Sequence, residues 1–239
     1  MDMGKVLIDG DIIAYRAAFS SQQMRSVDTR NKVDVLIESI LDNTVYFPEL
    51  GVDYSVYLTG KDNYRYDIAK TLPYKGNRRH VEKPRHLQHA RDYMESKYKA
   101  TVSQGEEADD LIAMEAAKLD YKACVASIDK DMLQIPCWHF NIVRGDYLEV
   151  TPFGGIKFFY TQILTGDTAD NIAGLWKVGP VKAKKILDDA ETEEDLWDCV
   201  VKAYDGNEDR VIENARLLWL RREEAEIWQP PRVRSDNKL

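Results

Sequence analysis

The sequence of 239 residues has only three cysteines, Cys124, Cys137 and Cys199, far apart and odd in number. That argues against a disulfide framework and against a cysteine zinc site, and leads us to expect reduced thiols in a cytoplasm. No apolar run approaches the roughly 18–20 residues that span a bilayer, so no membrane partner is expected. The opening stretch through Val6-Leu7-Ile8-Asp9 lacks the apolar core and cleavage site of a secretory signal. Internal repeats and low-complexity tracts are also missing. The composition, 44% hydrophobic and 31% charged, is globular rather than disordered. The length suits one large domain, or one domain with a smaller appendage.

A surplus of base is missing too: 33 Lys and Arg face 41 Asp and Glu, a net charge of −8. The charge is unevenly spread. Between Lys61 and Lys99 there are eleven basic and five acidic residues, with three of the four histidines. Between Trp176 and Ile186 there are four lysines and no acid. Between Asp188 and Asp209 there are ten acids and one lysine, so most of the acidity is one local block. The overall sign therefore does not exclude an anionic partner.

Hydrophobic spacing predicts an α/β order. A buried strand, Val6-Leu7-Ile8, ends in Asp9-Gly10-Asp11 and runs into a helix from Ile12 to about Phe19. A helix from about Val33 to Phe47 follows, then strand Val52–Leu58, a helix from about Pro84 to Tyr98 and a short strand near Ala100–Val102. Next come a helix from about Glu106 to Leu119, strand Ala123–Ile128, and weaker strands at His139–Val143 and Tyr147–Val150. Strands alternating with helices imply a layered α/β domain with a largely parallel sheet. From Ile156 onward the pattern is helical throughout.

Carboxylates recur where strands end or helices begin. They are Asp9, then Glu107, Asp109 and Asp110 in Gly105-Glu106-Glu107-Ala108-Asp109-Asp110, then Asp129 and Asp131 around Lys130, and finally Asp167 and Asp170 in Gly166-Asp167-Thr168-Ala169-Asp170-Asn171. In open α/β sheets, sites form beside the carboxyl ends of the strands, so these groups can converge. Taken singly they read as helix caps or turn residues. Eight converging carboxylates make sense only around cations, and oxygen ligands without Cys or His favour Mg²⁺ or Mn²⁺ over Zn²⁺. Two such ions about 3.5–4 Å apart are the usual clamp for phosphodiester hydrolysis. A second signal is Ile172 to Leu187. There Gly179 supplies a turn, Pro180 suits a first helical position, and Lys182, Lys184 and Lys185 can hold a backbone phosphate.

In order and spacing, these motifs resemble the 5′-nuclease (flap endonuclease, 5′→3′ exonuclease) superfamily, including the nuclease domain of bacterial DNA polymerase I. VLIDGDIIAYRA, LPYKGNR, GEEADDLIA, SIDKDMLQI and LTGDTADNIAG span about residues 4–190 with the Gly179-Pro180 segment. The C-terminal stretch, Leu196-Trp197-Asp198-Cys199 and Ala215-Arg216-Leu217 through Ile227-Trp228, is similar to 5′→3′ exonucleases of short-tailed bacteriophages. The resemblance implies a PIN-like α/β/α nuclease domain at residues 1–155 with a basic arch at about 61–99. It also implies a helical subdomain at 156–239 carrying a helix–two-turn–helix motif at about 172–187. Asp9, Glu107, Asp109, Asp110, Asp129, Asp131, Asp167 and Asp170 would bind two Mg²⁺ or Mn²⁺ ions. Lys75 and Arg78 would be catalytic, stabilising charge on the scissile phosphate. Tyr15, Arg16, Tyr74, Gly179, Lys182, Lys184 and Lys185 would bind DNA, with Tyr74 offering a stacking face and K⁺ held at the helix–two-turn–helix motif. The pattern departs in one place: a further acid is usual after the second strand, where Gly60 stands here, and Asp62 is near but out of register.

The implied activity is 5′→3′ exonuclease and flap endonuclease action on DNA with free 5′ ends, nicks, gaps or flaps. RNA–DNA hybrid and primer removal are included, by a monomer in the cytoplasm, that of the host if the source is a phage. The competing readings are a structure-specific DNA-binding protein without catalysis, and a haloacid-dehalogenase-type phosphatase suggested by Asp9-Gly10-Asp11. The latter leaves GEEADD, SIDKD and Gly179-Pro180 unexplained.

Overall fold

The computed structural model describes residues 4–44, 53–78 and 82–232. Arg79, His80, the expected helix end at 45–47 and the first residue of the expected second strand lie outside the described residues. In chain order the elements begin with β1 (Lys5–Asp9), α1 (Gly10–Ser20), α2 (Ser26–Thr44), β2 (Tyr54–Leu58), α3 (Arg65–Ile68) and α4 (Leu87–Tyr98). Then follow β3 (Thr101–Val102), α5 (Ala108–Lys118), β4 (Ala123–Ser127), β5 (Trp138–Asn141), β6 (Tyr147–Glu149) and α6 (Pro152–Thr165). The last are β7 (Gly166–Asp167), β8 (Ile172–Ala173), α7 (Pro180–Ile186), α8 (Glu193–Ala203) and α9 (Glu208–Leu218). Among the described residues no helix is long and apolar enough to cross a membrane. Cys124 and Cys137 are buried and Cys199 is half-buried, and none of the three is in a disulfide among the described residues.

The chain divides into two compact units, Met1–Asn63 with Glu82–Val150, and Tyr64–Val81 with Thr151–Leu239. In the first, six strands run in the order β3-β2-β1-β4-β5-β6, with β6 alone antiparallel. β1 and β4 are almost continuous runs of buried residues, as strands covered on both faces must be. Alternation sends Val6, Ile8, Val56, Leu58, Cys124, Ala126 and Phe140 into one cluster with residues of α1, α2 and α4. On the other face α5 packs across β1 and β2. The result is the expected layered α/β/α domain. Helix α2 begins earlier than its apolar pattern because Thr29 and Thr44 continue the buried stripe of Val33, Ile37 and Ile40. Polar residues in a core stripe are invisible to an apolar count, and here the Thr29 hydroxyl is satisfied by Ser21 at 2.6 Å.

The second unit is built on α6, which packs against α7, α8 and α9. Its core gathers Phe159, Tyr160, Trp197, Trp219 and Trp228, with ring centroids 5.0–6.4 Å apart. The unit is not wholly helical: β7 and β8 form a two-residue antiparallel pair. A side chain on Gly166 or Gly174 would strike the facing backbone at 2.2–2.3 Å, so both positions need glycine.

The division differs from a simple cut at 155. Residues 64–81, the first half of the expected arch, belong to the helical unit. Arg65 is buried and donates to the Leu217 carbonyl at 2.9 Å and the Trp219 carbonyl at 2.6 Å. Glu213 accepts from the Lys70 and Thr71 amides at 2.8 and 2.7 Å. Residues 82–99, including α4, belong to the sheet unit.

Candidate nuclease site

In the first unit the chain winds from β1 to β2 and β3 on one side of β1, and to β4 and β5 on the other. The reversal leaves a crevice at the carboxyl ends of β1 and β4, where doubly wound sheets place their sites. Asp9 ends β1 and Asp129 follows β4. Asp9 is 2% exposed; it accepts the Ser127 hydroxyl at 2.7 Å and the Ile12 amide at 3.2 Å, capping α1. The same Ser127 hydroxyl accepts the Asp129 amide at 2.9 Å, and Asp129 accepts the Asp131 amide at 2.9 Å. One serine thus ties the two strand ends together.

Burial pushes the Asp9 carboxyl up to about 7; the Ser127 bond opposes the rise, and the charges of Asp11 and Asp129 add to it. A buried carboxylate whose charged neighbours are also acids is held at a cost that a cation removes.

The other acids of this unit sit at the same side of the sheet. Glu107 and Asp110 are buried and form a reciprocal capping box at the start of α5. That helix start is fixed to the end of β2 by the Ala108 amide, which donates to the Thr59 hydroxyl at 3.0 Å. Asp109, in the first turn, is half-buried. The acids of the first three predicted ends therefore lie at adjoining element ends within one unit. Among the described residues no three Asp, Glu, His or Cys side chains close tightly enough to enclose an ion. The candidate donors are nonetheless all carboxylate oxygens around a buried acid, a set that suits a hard divalent cation.

Residues the motif reading did not assign complete this end of the sheet. Asp11 accepts the Thr59 amide at 2.9 Å, and Arg91 of α4 donates to both the Asp11 carboxylate and the Thr59 carbonyl. Asp11 and Ser127 stood within quoted motifs, whereas Arg91, 80 residues away from Asp11, gave no sequence signal. Gly60 also has a steric explanation. A Cβ there would lie 2.1 Å from the Ser103 carbonyl oxygen, so that backbone leaves no room for an acid. Asp62 is exposed.

In the second unit, the loop carrying Tyr74, Lys75 and Arg78 is zipped to the loop carrying Asp167 and Asp170. Asp167 is 3% exposed and accepts the Ala169 and Asp170 amides at 2.6 and 3.1 Å. The Asp170 carboxylate takes Arg78 at 2.7 Å, the Tyr74 hydroxyl at 2.7 Å and the Lys75 ammonium at 3.7 Å. Asn77 and Arg78 further donate to the Thr168 and Ala169 carbonyls at 2.7 and 2.8 Å. One expectation is corrected here. Tyr74 is 4% exposed within the core of the helical unit, its ring meets the exposed Tyr66 edge-on and its hydroxyl is on Asp170, so it presents no stacking face.

The remaining expected DNA contacts are at the surface. Tyr15 and Arg16 are exposed on α1. Gly179 caps α7, Pro180 starts it, and Lys182, Lys184 and Lys185 are exposed along it. His86 and His89 are taken up by local hydrogen bonds to the Met24 carbonyl and Arg30 at 3.0 and 2.9 Å.

Compared with profiles of known protein families, the chain matches none. A curated 5′-3′ exonuclease of Buchnera aphidicola subsp. Schizaphis graminum is 27% identical over 194 residues, 73% of this chain. The match spans 66% of that protein's length. Among solved structures, the bacteriophage T5 flap endonuclease in complex with DNA and metal ions has a TM-score of 0.67 at 16% identity. The match covers 90% of this chain and 88% of that one. The catalytic core of Rad2 in complex with DNA substrate has a TM-score of 0.53 at 12% identity, covering 97% and 84%. These two share the fold. The motif order, the similarity to the curated exonuclease and the shared fold all agree with the resemblance to the 5′-nuclease superfamily.

Proposed function

We propose that the chain is a divalent-metal-dependent 5′→3′ exonuclease with flap endonuclease activity on DNA, and that it also removes RNA primers. The observation that carries this reading is Asp9, a buried acid at the crevice between β1 and β4 whose charged neighbours are Asp11 and Asp129. Asp9, Glu107, Asp109, Asp110, Asp129 and Asp131 are the residues of the first unit that would hold Mg²⁺ or Mn²⁺. Asp167 is the corresponding buried acid of the second unit. Bound divalent ions supply charge neutralisation at a scissile phosphate and lower the pKa of an attacking water.

The chain's own residues do the rest. Lys75 and Arg78 are the cations available to the phosphate oxygens, worth most where water is excluded. Asp170 orients both of them, because its two carboxylate oxygens are shared among Arg78, Lys75 and Tyr74. Arg16, Lys182, Lys184 and Lys185 offer exposed charge to backbone phosphates without reading sequence.

Digestion of 5′-labelled flap, nicked and blunt duplexes, with a primer arm of RNA, tests the reading in Mg²⁺, in Mn²⁺ and in EDTA. Cleavage from the 5′ side that needs the metal is the expected result. Binding in both metals without cleavage would instead identify a DNA-binding protein.

A further inference from the structure

Trp176 is 85% exposed, whereas Trp197, Trp219 and Trp228 are at most 7% exposed. Val181, five residues on, is 76% exposed. The two bracket the turn at Gly179-Pro180, so two large apolar side chains stand in water around one tight bend. Their surroundings are cationic. Lys177, Lys182, Lys184 and Lys185 are all exposed, and no acid occurs between Trp176 and Ile186. The Lys177 ammonium lies over the indole ring, 5.7 Å from its centroid. An exposed indole beside exposed positive charge is poorly placed as core and well placed as a contact.

We propose that Trp176, with Val181, is a nucleic-acid contact that packs against sugar and base faces while the neighbouring lysines hold the phosphates. The inference rests on the DNA-binding part of the proposed function and deepens it. The charge decides the occupant: a polyanion with flat apolar faces matches both the ammonium groups and the indole, and a nucleic-acid strand is such a ligand. The lysine contacts are electrostatic and lose affinity as counterions are added. The indole contact is not, so the two residue types separate by salt dependence.

The test measures binding of labelled duplex and single-stranded DNA in EDTA at several salt concentrations, with Trp176→Ala, Trp176→Phe and Lys182→Ala. Trp176→Ala is expected to weaken binding about tenfold at every salt concentration, leaving the salt slope unchanged. Trp176→Phe should restore most of the loss, and Lys182→Ala should lower the slope by about one. Comparing the duplex and single-stranded arms tells sugar contact from base stacking. Iodide quenching adds a direct readout, since DNA should protect the exposed indole from quenching in the unmodified protein. Unchanged affinity in Trp176→Ala, with DNA binding otherwise intact, overturns this inference and leaves the nuclease reading standing. No DNA binding by the unmodified protein overturns both. Self-association that Trp176→Ala abolishes overturns it as well, and marks the surface as an interface between copies.

Discussion

Asp9 and Asp170 are the same chemical group placed in opposite surroundings. Asp9 is buried, its partners are a hydroxyl and an amide, and its charged neighbours Asp11 and Asp129 are acids. Asp170 is shared by an arginine, a lysine and a tyrosine hydroxyl. Arg91 pairs with the neighbouring Asp11, but the partners of Asp9 itself are neutral groups, whereas Asp170 is neutralised directly by the chain. Membership of a carboxylate motif therefore does not fix a residue's job. The local balance of charge separates a candidate cation ligand from a group that holds the candidate catalytic cations.

The comparison breaks most readily at the first unit. Replacing Asp129 and Asp131 together by Asn should abolish cleavage while DNA binding stays within a few-fold, because phosphate contacts carry most of the affinity. Mn²⁺ titration of the same variant should show weakened binding. Normal cleavage by the double variant would remove these acids from the metal site. Next in size, Lys75→Ala should lower kcat by about 10²–10³-fold with KM little changed. A loss confined to KM would make Lys75 a phosphate anchor. A smaller loss, about tenfold in kcat, is expected for Asp170→Asn, with Mn²⁺ affinity nearly unchanged, since its contribution is to hold Lys75 and Arg78. If Asp170→Asn instead loses Mn²⁺ binding as the Asp129 and Asp131 double variant is expected to, the contrast between Asp170 and the acids of the first unit collapses.

Much of this contrast was hidden from the sequence. The sheet was legible because β1 and β4 carry the apolar runs Val6–Ile8 and Ala123–Ala126 and because α5 is capped by Glu107 and opens with Asp109 and Asp110 in its first turn. The strand-end position of Asp9 and Asp129 followed from those runs. The pairing of Asp170 with Arg78 joins residues 92 positions apart, and no local periodicity records such a contact. Tyr74 lies within a basic stretch that reads as solvated, yet the core of the helical unit buries it. Arg65 is hidden likewise: a buried arginine is satisfied by carbonyls of Leu217 and Trp219 that only the folded chain brings near. Gly60 was legible as a departure, but its cause, the close approach of the Ser103 backbone, was not.

The last expected effect is on stability, not turnover, and concerns Asp9 alone. Its carboxyl keeps a proton up to about pH 7 in the folded protein, against an ordinary value of 3.8. Between those values the folded state binds more protons than the unfolded chain, so stability falls as pH rises through that window. The full effect is on the order of 4 kcal/mol, lost progressively from about pH 4 to about pH 7. His139 acts in the opposite sense over part of the window, because burial lowers its pKa and acid then destabilises the fold. The measurement is therefore a difference: urea unfolding in EDTA from pH 5 to 8 for the unmodified protein and for Asp9→Asn. The His139 contribution cancels, and the remaining slope belongs to Asp9. The unmodified protein should lose stability relative to the variant as pH rises. Mn²⁺ at pH 8 should restore it in the unmodified protein by RT ln(1 + [Mn²⁺]/Kd), and much less in the variant. Parallel pH profiles would mean that the folded site already compensates Asp9, and that its surroundings differ less from those of Asp170 than the geometry implies.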